Sequence, residues 1–322
     1  MNRHRLLHVT EFEYDGPVSE SYNEVHLQPI DDEFQNSVGF RLRTQPASAP
    51  ATARDYFGNW VHHFNVVAKH RRLRIEAESV VMTQEPLIDL QASDTLATVD
   101  RQSAALLDAH YDFLVPSSYV PALDDLGALV RAAEDASGGT AAGFAHAAAT
   151  LIHDSFRYTK GATHVHSSVR DVLASGAGVC QDFTHLLIAL ARTRGLPARY
   201  VSGYLTPRAG NGGTNGVEQV SGGRASHSWA EVFVPGVGWV GIDPTLGTLV
   251  SGRHIRVAYG RDYGDVAPVR GVYRGQAGQR LSVNVLMRPA VDDDGCEHLR
   301  EAVEPAGPEP APEALRQQQQ QQ

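Results

Sequence analysis

Apolar and polar positions alternate with period two through the first hundred residues. The runs "RLLHVTEFEY", "NEVHLQPI", "FRLRTQP", "NWVHHFNVV" and "LRIEAESVV" each place their apolar side chains on one face of an extended chain. Between them stand "YDGP", "DYFGN" and "QPASAP", whose Gly, Pro, Asn and Asp favour turns. The pattern predicts an antiparallel β-sandwich domain over residues 1–100. Pro116, in "FLVPSSYVP", marks a crossing, so residues 101–120 read as a linker.

From about residue 121 the spacing becomes helical, in "PALDDLGALVRAAEDA" and "AAGFAHAAATLIHDSFRY", with Gly138-Gly139 between them. A third helix is the best defined. Over 181–194, Phe183, Leu186, Leu187, Leu190 and Ala191 line one face, and Gly195 and Pro197 stop it. Strands follow in "ARYVSGYL", "SHSWAEVFV" and "GWVGIDP", then in "HIRVAYG", "VRGVYRG" and "RLSVNVLMRP", the last of which are expected to close the sheet of a second domain over residues 121–290. The fold class is therefore α+β. "NGGTNGVEQVSGG" reads as a long loop at the rim of that sheet, and 291–322, acidic and rich in Pro, Ala and Gln, as a disordered tail.

A chain of 322 residues with 42% hydrophobic and 20% charged residues can bury two ordinary cores. A net charge of −9 argues against a broad nucleic-acid surface. Basic residues are nearly all Arg, with Lys only at Lys69 and Lys160, the usage of a high-GC genome. No window has the length and apolarity of a signal peptide or membrane span, so a cytoplasmic protein with reduced thiols and no membrane partner is expected. Oligomeric state is not readable.

Sulfur is scarce: Cys180 and Cys296 are the two cysteines, and Cys296 falls in the tail. In "GAGVCQDFTHLLIALARTRGLPARYVSGYL" the glycines at 176 and 178 let the chain turn sharply into the helix that Cys180 begins. The free N–H groups and dipole of a helix N-terminus favour a thiolate, the reactive form. A small buried hydrophobe is the alternative for a lone Cys in such a place. A reducing compartment disfavours a Cys180–Cys296 disulfide, and a metal site would need more than His185 nearby. His62-His63 and His164 with His166 are weak metal candidates, so no metal and no cofactor is expected. Asp182 and His185 fit helix packing better than a pocket. Trp229 and Tyr204 suit an acyl cleft and a core equally.

"ASHSWAEVFVPGVGWVGIDPT" adds His227 on one strand and Asp243 at the end of the next, around a hairpin at 235–238. Cys180, His227 and Asp243 supply the nucleophile, base and orienting acid of thiol catalysis. A plain ladder closing at Val234 and Trp239, however, puts Asp243 opposite Ala230, on the face away from His227. A bulge at Gly241, or departure of the strand before Pro244, would correct the facing.

These two segments resemble the bacterial transglutaminase-like superfamily, whose core is related to papain-type cysteine proteases. "HVTEFEYDGPVSESYNEVHLQP" and "RDYFGNWVHHF" resemble the β-rich region that precedes the core in one bacterial branch, so the likeness covers roughly residues 1–290. The resemblance implies a papain/transglutaminase-like core of helices packed on an antiparallel sheet. It also implies Cys180 as nucleophile, His227 as general base and acid, and Asp243 as the residue orienting His227. The chain departs from the animal enzymes in having no Trp between Trp60 and Trp229, and it has no Gln shortly before Cys180 as papain does. The second oxyanion donor is thus unassigned between Tyr158 and Gln181. The resemblance implies a cysteine peptidase or amidase acting on a peptide or protein substrate through a thioester. Amine transfer or protein cross-linking is the alternative acceptor chemistry, and a catalytically silent binding module is the alternative class.

Overall fold

The computed structural model describes residues 1–163, 167–206, 218–220 and 226–290. His164, His166, most of the glycine-rich loop, and the acidic tail with Cys296 lie outside the described residues. The chain runs β1 (Asn2–Val25), β2 (Gln35–Gln45), β3 (Ala51–Arg54), β4 (Trp60–Val66) and β5 (His70–Thr83), then α1 (Leu96–Arg101), α2 (Ser103–His110), α3 (Gly127–Asp135) and α4 (Ala141–Ser155). Next come β6 (Arg157–Tyr158), α5 (Val169–Ser175), β7 (Ala177–Gly178), α6 (Cys180–Thr193), β8 (Ala198–Leu205), β9 (Glu218–Val220), β10 (Ser226–Val234) and β11 (Gly238–Asp243). The described chain closes with β12 (Thr248–Leu249), β13 (His254–Gly260), α7 (Tyr263–Val266), β14 (Val269–Arg274) and β15 (Gln279–Pro289).

The N-terminal alternation folds as expected, into two layers, but the layers are one curled antiparallel sheet. β1 carries both. Its first half pairs with β5 and β15, and its second half pairs with β4 and β14. The register breaks between Glu13 and Val18 and again between Ser19 and Tyr22, and Glu20 takes a positive φ of 49°. Such irregularities bend a strand and raise its twist, which lets β1 cross from one layer to the other. Phe12, Tyr14, Val25, Phe64, Leu73 and Ile75 fill the space so enclosed.

The expectation that the final strands close the second sheet is not met. β13 does join it, beside β8, but β14 and β15 return to pair with β1. β15 matches β1 residue for residue from His4↔Pro289 to Tyr14↔Gln279, a long-range pairing that no local signal encodes. The stretch 101–120, read as a linker, carries α2 and packs on the second sheet: His110 lies 4.2 Å from Phe233 and Phe113 5.3 Å from Trp239, between ring centroids.

The second sheet is antiparallel, in the order β12-β11-β10-β8-β13. α6 packs across it as the central helix, its apolar stripe buried with Phe144, Ala148 and Ile152 of α4 and with Ala230 and Val232 of β10. Arg192 at its far end is buried. Its guanidinium donates to the carbonyls of Phe113, Val115, Ala198 and Arg261, fixing three chain segments to one helix. Two side-chain amides tie the sheets together: Gln35 brackets the main chain of Arg256, and Asn59 that of Tyr259. The helical core thus holds α6 rigidly, with its first residue at the open end of the sheet.

Candidate active site

Two local devices set the start of α6. Gly176 ends α5 in the left-handed conformation, φ +62°, which only glycine adopts freely. Gly178 is needed for space: a Cβ there would lie 2.8 Å from Asp182 Cβ. Asp182 folds back into that space, where its Oδ2 accepts from the Val179 N–H at 2.7 Å and from Thr163 Oγ1 at 2.5 Å. Asp182 is therefore a helix-start clamp. His185 packs away from the thiol, stacked on Tyr119, and its Nε2 accepts from the Tyr263 N–H.

The facing problem posed by the hairpin is solved by its length. The loop between β10 and β11 has three residues, 235–237, so Val234 pairs with Gly238 and Ala230 with Ile242. Gly236 and Gly238 both take positive φ, 84° and 105°, which the short loop requires. This moves the register by one residue from the plain ladder. Asp243 then falls opposite Trp229 and shares its face with His227, with no bulge at Gly241.

β11 also ends there, and that opens the site. Ser228, Ala230 and Val232 face α6, Ser228 Oγ lying 3.2 Å from Thr184 Oγ1. His227 is on the other face. It reaches Cys180 at the start of β10, beyond the last residue that pairs with β11. The Cys180 sulfur, half-buried, is hydrogen-bonded by His227 and by both the hydroxyl and the main-chain N–H of Ser228. Tyr200 joins the same network through Ser228.

His227 Nε2 donates to Asp243 Oδ2 at 2.6 Å, which leaves Nδ1 for the sulfur. Asp243 is fully buried and accepts four hydrogen bonds. Its Oδ1 takes the Thr245 and Leu246 N–H groups of the following turn, and its Oδ2 takes His227 and, at 3.2 Å, His254. Burial acts against every charge here, and the partners outweigh it. Asp243 is held well below the usual carboxylate range by its imidazole donors. His227 is raised by Asp243 and the thiol. Cys180 is lowered by His227 and Ser228. All three directions favour a thiolate–imidazolium pair.

The structure brings Cys180, His227 and Asp243 together. Trp229 and Tyr204, open between cleft and core in the sequence, are both core: Trp229 is fully buried, and the Tyr204 hydroxyl lies 2.7 Å from His8 Nδ1. Tyr158 is exposed on β6, with its ring 6.2 Å from Phe183. His62 uses one ring nitrogen on Thr52 and the other on Gln28. Among the described residues the group able to hold a metal ion is His227, Asp243 and His254, with ligand atoms within 4.8 Å, and there the shared Asp243 oxygen already serves two imidazoles. Ser228, Tyr200 and His254 were missed by sequence reasoning. A histidine heading the apolar strand "HIRVAYG" was the available signal for His254; Ser228 and Tyr200 gave none.

Gly203, paired with His227 across the sheet, admits no side chain. An added Cβ would lie 2.2 Å from the Ile255 carbonyl oxygen and 2.6 Å from the Trp229 ring. Trp229 in turn packs edge-on against His254, centroids 5.0 Å apart. Gly203→Ala is expected to cost about 2 kcal/mol or more in urea unfolding and to slow Cys180 alkylation. Unchanged stability and reactivity would mean that the strand relaxes without moving Trp229.

Comparison with known proteins places this geometry in a family. The profile of the transglutaminase-like superfamily matches residues 129–244, and that of the bacterial transglutaminase-like N-terminal region matches residues 4–82. An uncharacterized protein of Mycobacterium leprae is 35% identical over 288 residues, covering 88% of this chain and 98% of its own. One from Mycobacterium tuberculosis strain H37Rv is 33% identical over 317 residues, covering 91% and 94%. A crystal structure from Cytophaga hutchinsonii, named "putative cysteine protease", has a TM-score of 0.69 at 21% identity, covers 91% of this chain and 92% of its own, and so shares the fold. With both halves matched in order and relatives aligned along nearly the whole chain, this protein belongs to the transglutaminase-like superfamily.

Proposed function

We propose that the protein is a cysteine-dependent acyl-transfer enzyme that hydrolyses a peptide or amide bond through a thioester. The observation that carries this reading is the continuous relay from the Cys180 thiol through His227 to the buried Asp243 at the N-terminus of α6. The Cys180 thiolate attacks the carbonyl carbon, and the displaced electron pair rests on the carbonyl oxygen beside the N–H groups of the first turn of α6. Its return expels the amine, which takes the proton from His227 and leaves a thioester on Cys180. Water then attacks the thioester, His227 Nδ1 takes its proton, and the thiolate departs from the carboxylic acid product. Asp243 stays ionised throughout and keeps the Nε2–H of His227 directed at itself.

A peptide or protein is the substrate class this reading takes, with no cofactor. A cytoplasmic setting belongs to it, the reducing compartment in which the free thiol of Cys180 stays available for chemistry. No helix among the described residues is long and apolar enough to cross a membrane. Water is preferred over an amine acceptor because free cross-linking in a cytoplasm rich in lysine side chains would be damaging. An amine-labelled product formed when a primary amine is added would reverse that preference.

The test is the rate of Cys180 alkylation by iodoacetamide from pH 4 to 10, read by peptide mass spectrometry, with Cys296 as the internal ordinary thiol. Reactivity persisting well below the free-thiol pKa of about 8.5, and moved toward it by His227→Ala, is the expected result. Reactivity that tracks Cys296 in both proteins would sink the enzyme reading and favour a binding module.

A further inference from the structure

His254 stands outside the Cys–His–Asp relay yet touches it at its buried end. Its ring is almost wholly enclosed, with Trp229 edge-on at 5.0 Å and His227 6.1 Å away between centroids. Both ring nitrogens are committed. The Ser251 main-chain N–H donates to Nδ1 at 3.1 Å, so Nδ1 carries a lone pair and the ring proton is on Nε2. That Nε2–H donates to Asp243 Oδ2 at 3.2 Å, the same oxygen that accepts from His227. The backbone amide therefore dictates the tautomer, and the tautomer dictates that His254 is a donor. Burial lowers the proton affinity of His254, which Asp243 raises less, so the ring stays neutral.

We propose that His254 is a positioning residue for the relay: a fixed neutral donor that holds Asp243 in one rotamer and in its ionised form, so that His227 keeps Nδ1 turned to the thiol. This inference rests on the thiol chemistry proposed above. It answers a geometric need. A carboxylate bound on Oδ1 by two turn amides still needs Oδ2 held, because His227 must be free to change charge in each half-reaction. With His254 in place, Oδ2 has a second donor that still answers its charge when His227 gives up its Nδ1 proton and faces the carboxylate as a neutral ring. Without it, Oδ2 is held by His227 alone, the carboxylate no longer fixes the His227 ring with Nδ1 toward the sulfur, and the Cys180 thiolate, its imidazolium partner displaced, takes up a proton at higher pH.

Among the described residues the titratable groups around Asp243 are few. His227 faces it from β10 and His254 from β13, and Cys180 acts through His227. His153 of α4 bonds the Thr245 carbonyl, and Glu85, after β5, accepts from the Gly252 N–H; both contact the neighbouring turns rather than the carboxylate.

Three measurements decide the matter. In His254→Phe, which keeps the ring and removes the donor, the acid limb of Cys180 alkylation should move up by about one pH unit. The rate at pH 5 should then fall about tenfold. In His254→Gln, whose amide nitrogen can take the place of Nε2, the limb should return toward that of the parent. A packing role alone would lower the unfolding temperature of both variants and leave the acid limb where it was, and that outcome overturns the proposal. Should His254→Phe not fold, nitrogen-15 histidine NMR of the unaltered protein still tests it. His254 must show the neutral Nε2–H tautomer from pH 5 to 8; an imidazolium or an Nδ1–H tautomer overturns it. A parent protein with no acid-shifted thiol would instead refute the enzyme reading itself.

Discussion

Asp243→Asn is expected to abolish acyl transfer while leaving the chain folded. The reason is that no orientation of an amide fits the site. Both Asp243 oxygens accept only: Oδ1 from the Thr245 and Leu246 N–H groups, Oδ2 from His227 and His254. An Asn NH2 group must confront donors on one side or the other. Against the turn it would lose two main-chain hydrogen bonds. Against the imidazoles it would drive His227 to the tautomer with its proton on Nδ1, the nitrogen that should take a proton from the thiol. A wrongly protonated base in such a triad costs about four orders of magnitude in turnover. The burst of p-nitrophenolate from p-nitrophenyl acetate reports acylation of Cys180 without knowledge of the natural substrate. A rate lowered about 10³–10⁴-fold, with the alkylation profile moved to that of an ordinary thiol, is the expected outcome. A burst within tenfold of the parent would show that Asp243 is a structural acceptor and that His227 is oriented by something else.

The second large effect is on stability. Four residues after His227 on the same strand and face, Glu231 is almost completely buried. Its Oε2 accepts from Arg199 Nε at 2.7 Å and Nη2 at 2.6 Å, and its Oε1 accepts from Arg256 Nε at 2.7 Å. Arg199 lies between the rings of Trp239 and Tyr259, 4.3 and 3.8 Å from their centroids, and Arg256 also reaches Asp32. The cluster joins β8, β10 and β13 beneath the site and links them to the loop after β1. Glu231→Gln removes the carboxylate that the two enclosed guanidinium groups share, leaving Arg256 only its contact with Asp32, and breaking such a pair costs about 3–5 kcal/mol. The pH dependence has a definite sign. Burial would raise the Glu231 carboxyl, but Arg199 and Arg256 bring it down to about 2, below its ordinary value. Its stabilisation is thus complete above the unfolded value of about 4.3 and is lost as pH falls from there through the folded one. Urea titrations at pH 7, 4 and 3 should show the parent losing stability across that window and Glu231→Gln, already weaker, losing less. A parent curve that is flat over this range would mean the arginines are neutralised by other groups.

Much of this site could be read without coordinates. The helical spacing after Cys180, the left-handed need met by Gly176, and the placing of His227 and Asp243 on successive strands all follow from short-range periodicity and turn chemistry. So does the two-layer character of the first hundred residues. These are local properties, decided within a turn of helix or a few residues of strand. The rest depended on contacts that sequence distance hides. A three-residue loop rather than a four-residue one set the β10–β11 register, and with it the face on which Asp243 stands. The two loops have nearly the same composition and differ in whether Gly238 or Trp239 opens the strand.

The sequence by itself thus determined the elements, the three reactive side chains and the end of the helix that presents the thiol, because periodicity and helix-start geometry act over a few residues. Only the tertiary structure decided that β14 and β15 return to the first sheet and that the β10–β11 register sets Asp243 on the face of His227. Only it placed His254 on the oxygen of Asp243. Those outcomes come from strand pairing between distant segments and from buried polar groups seeking partners. Both are satisfied only when the whole chain has closed around them.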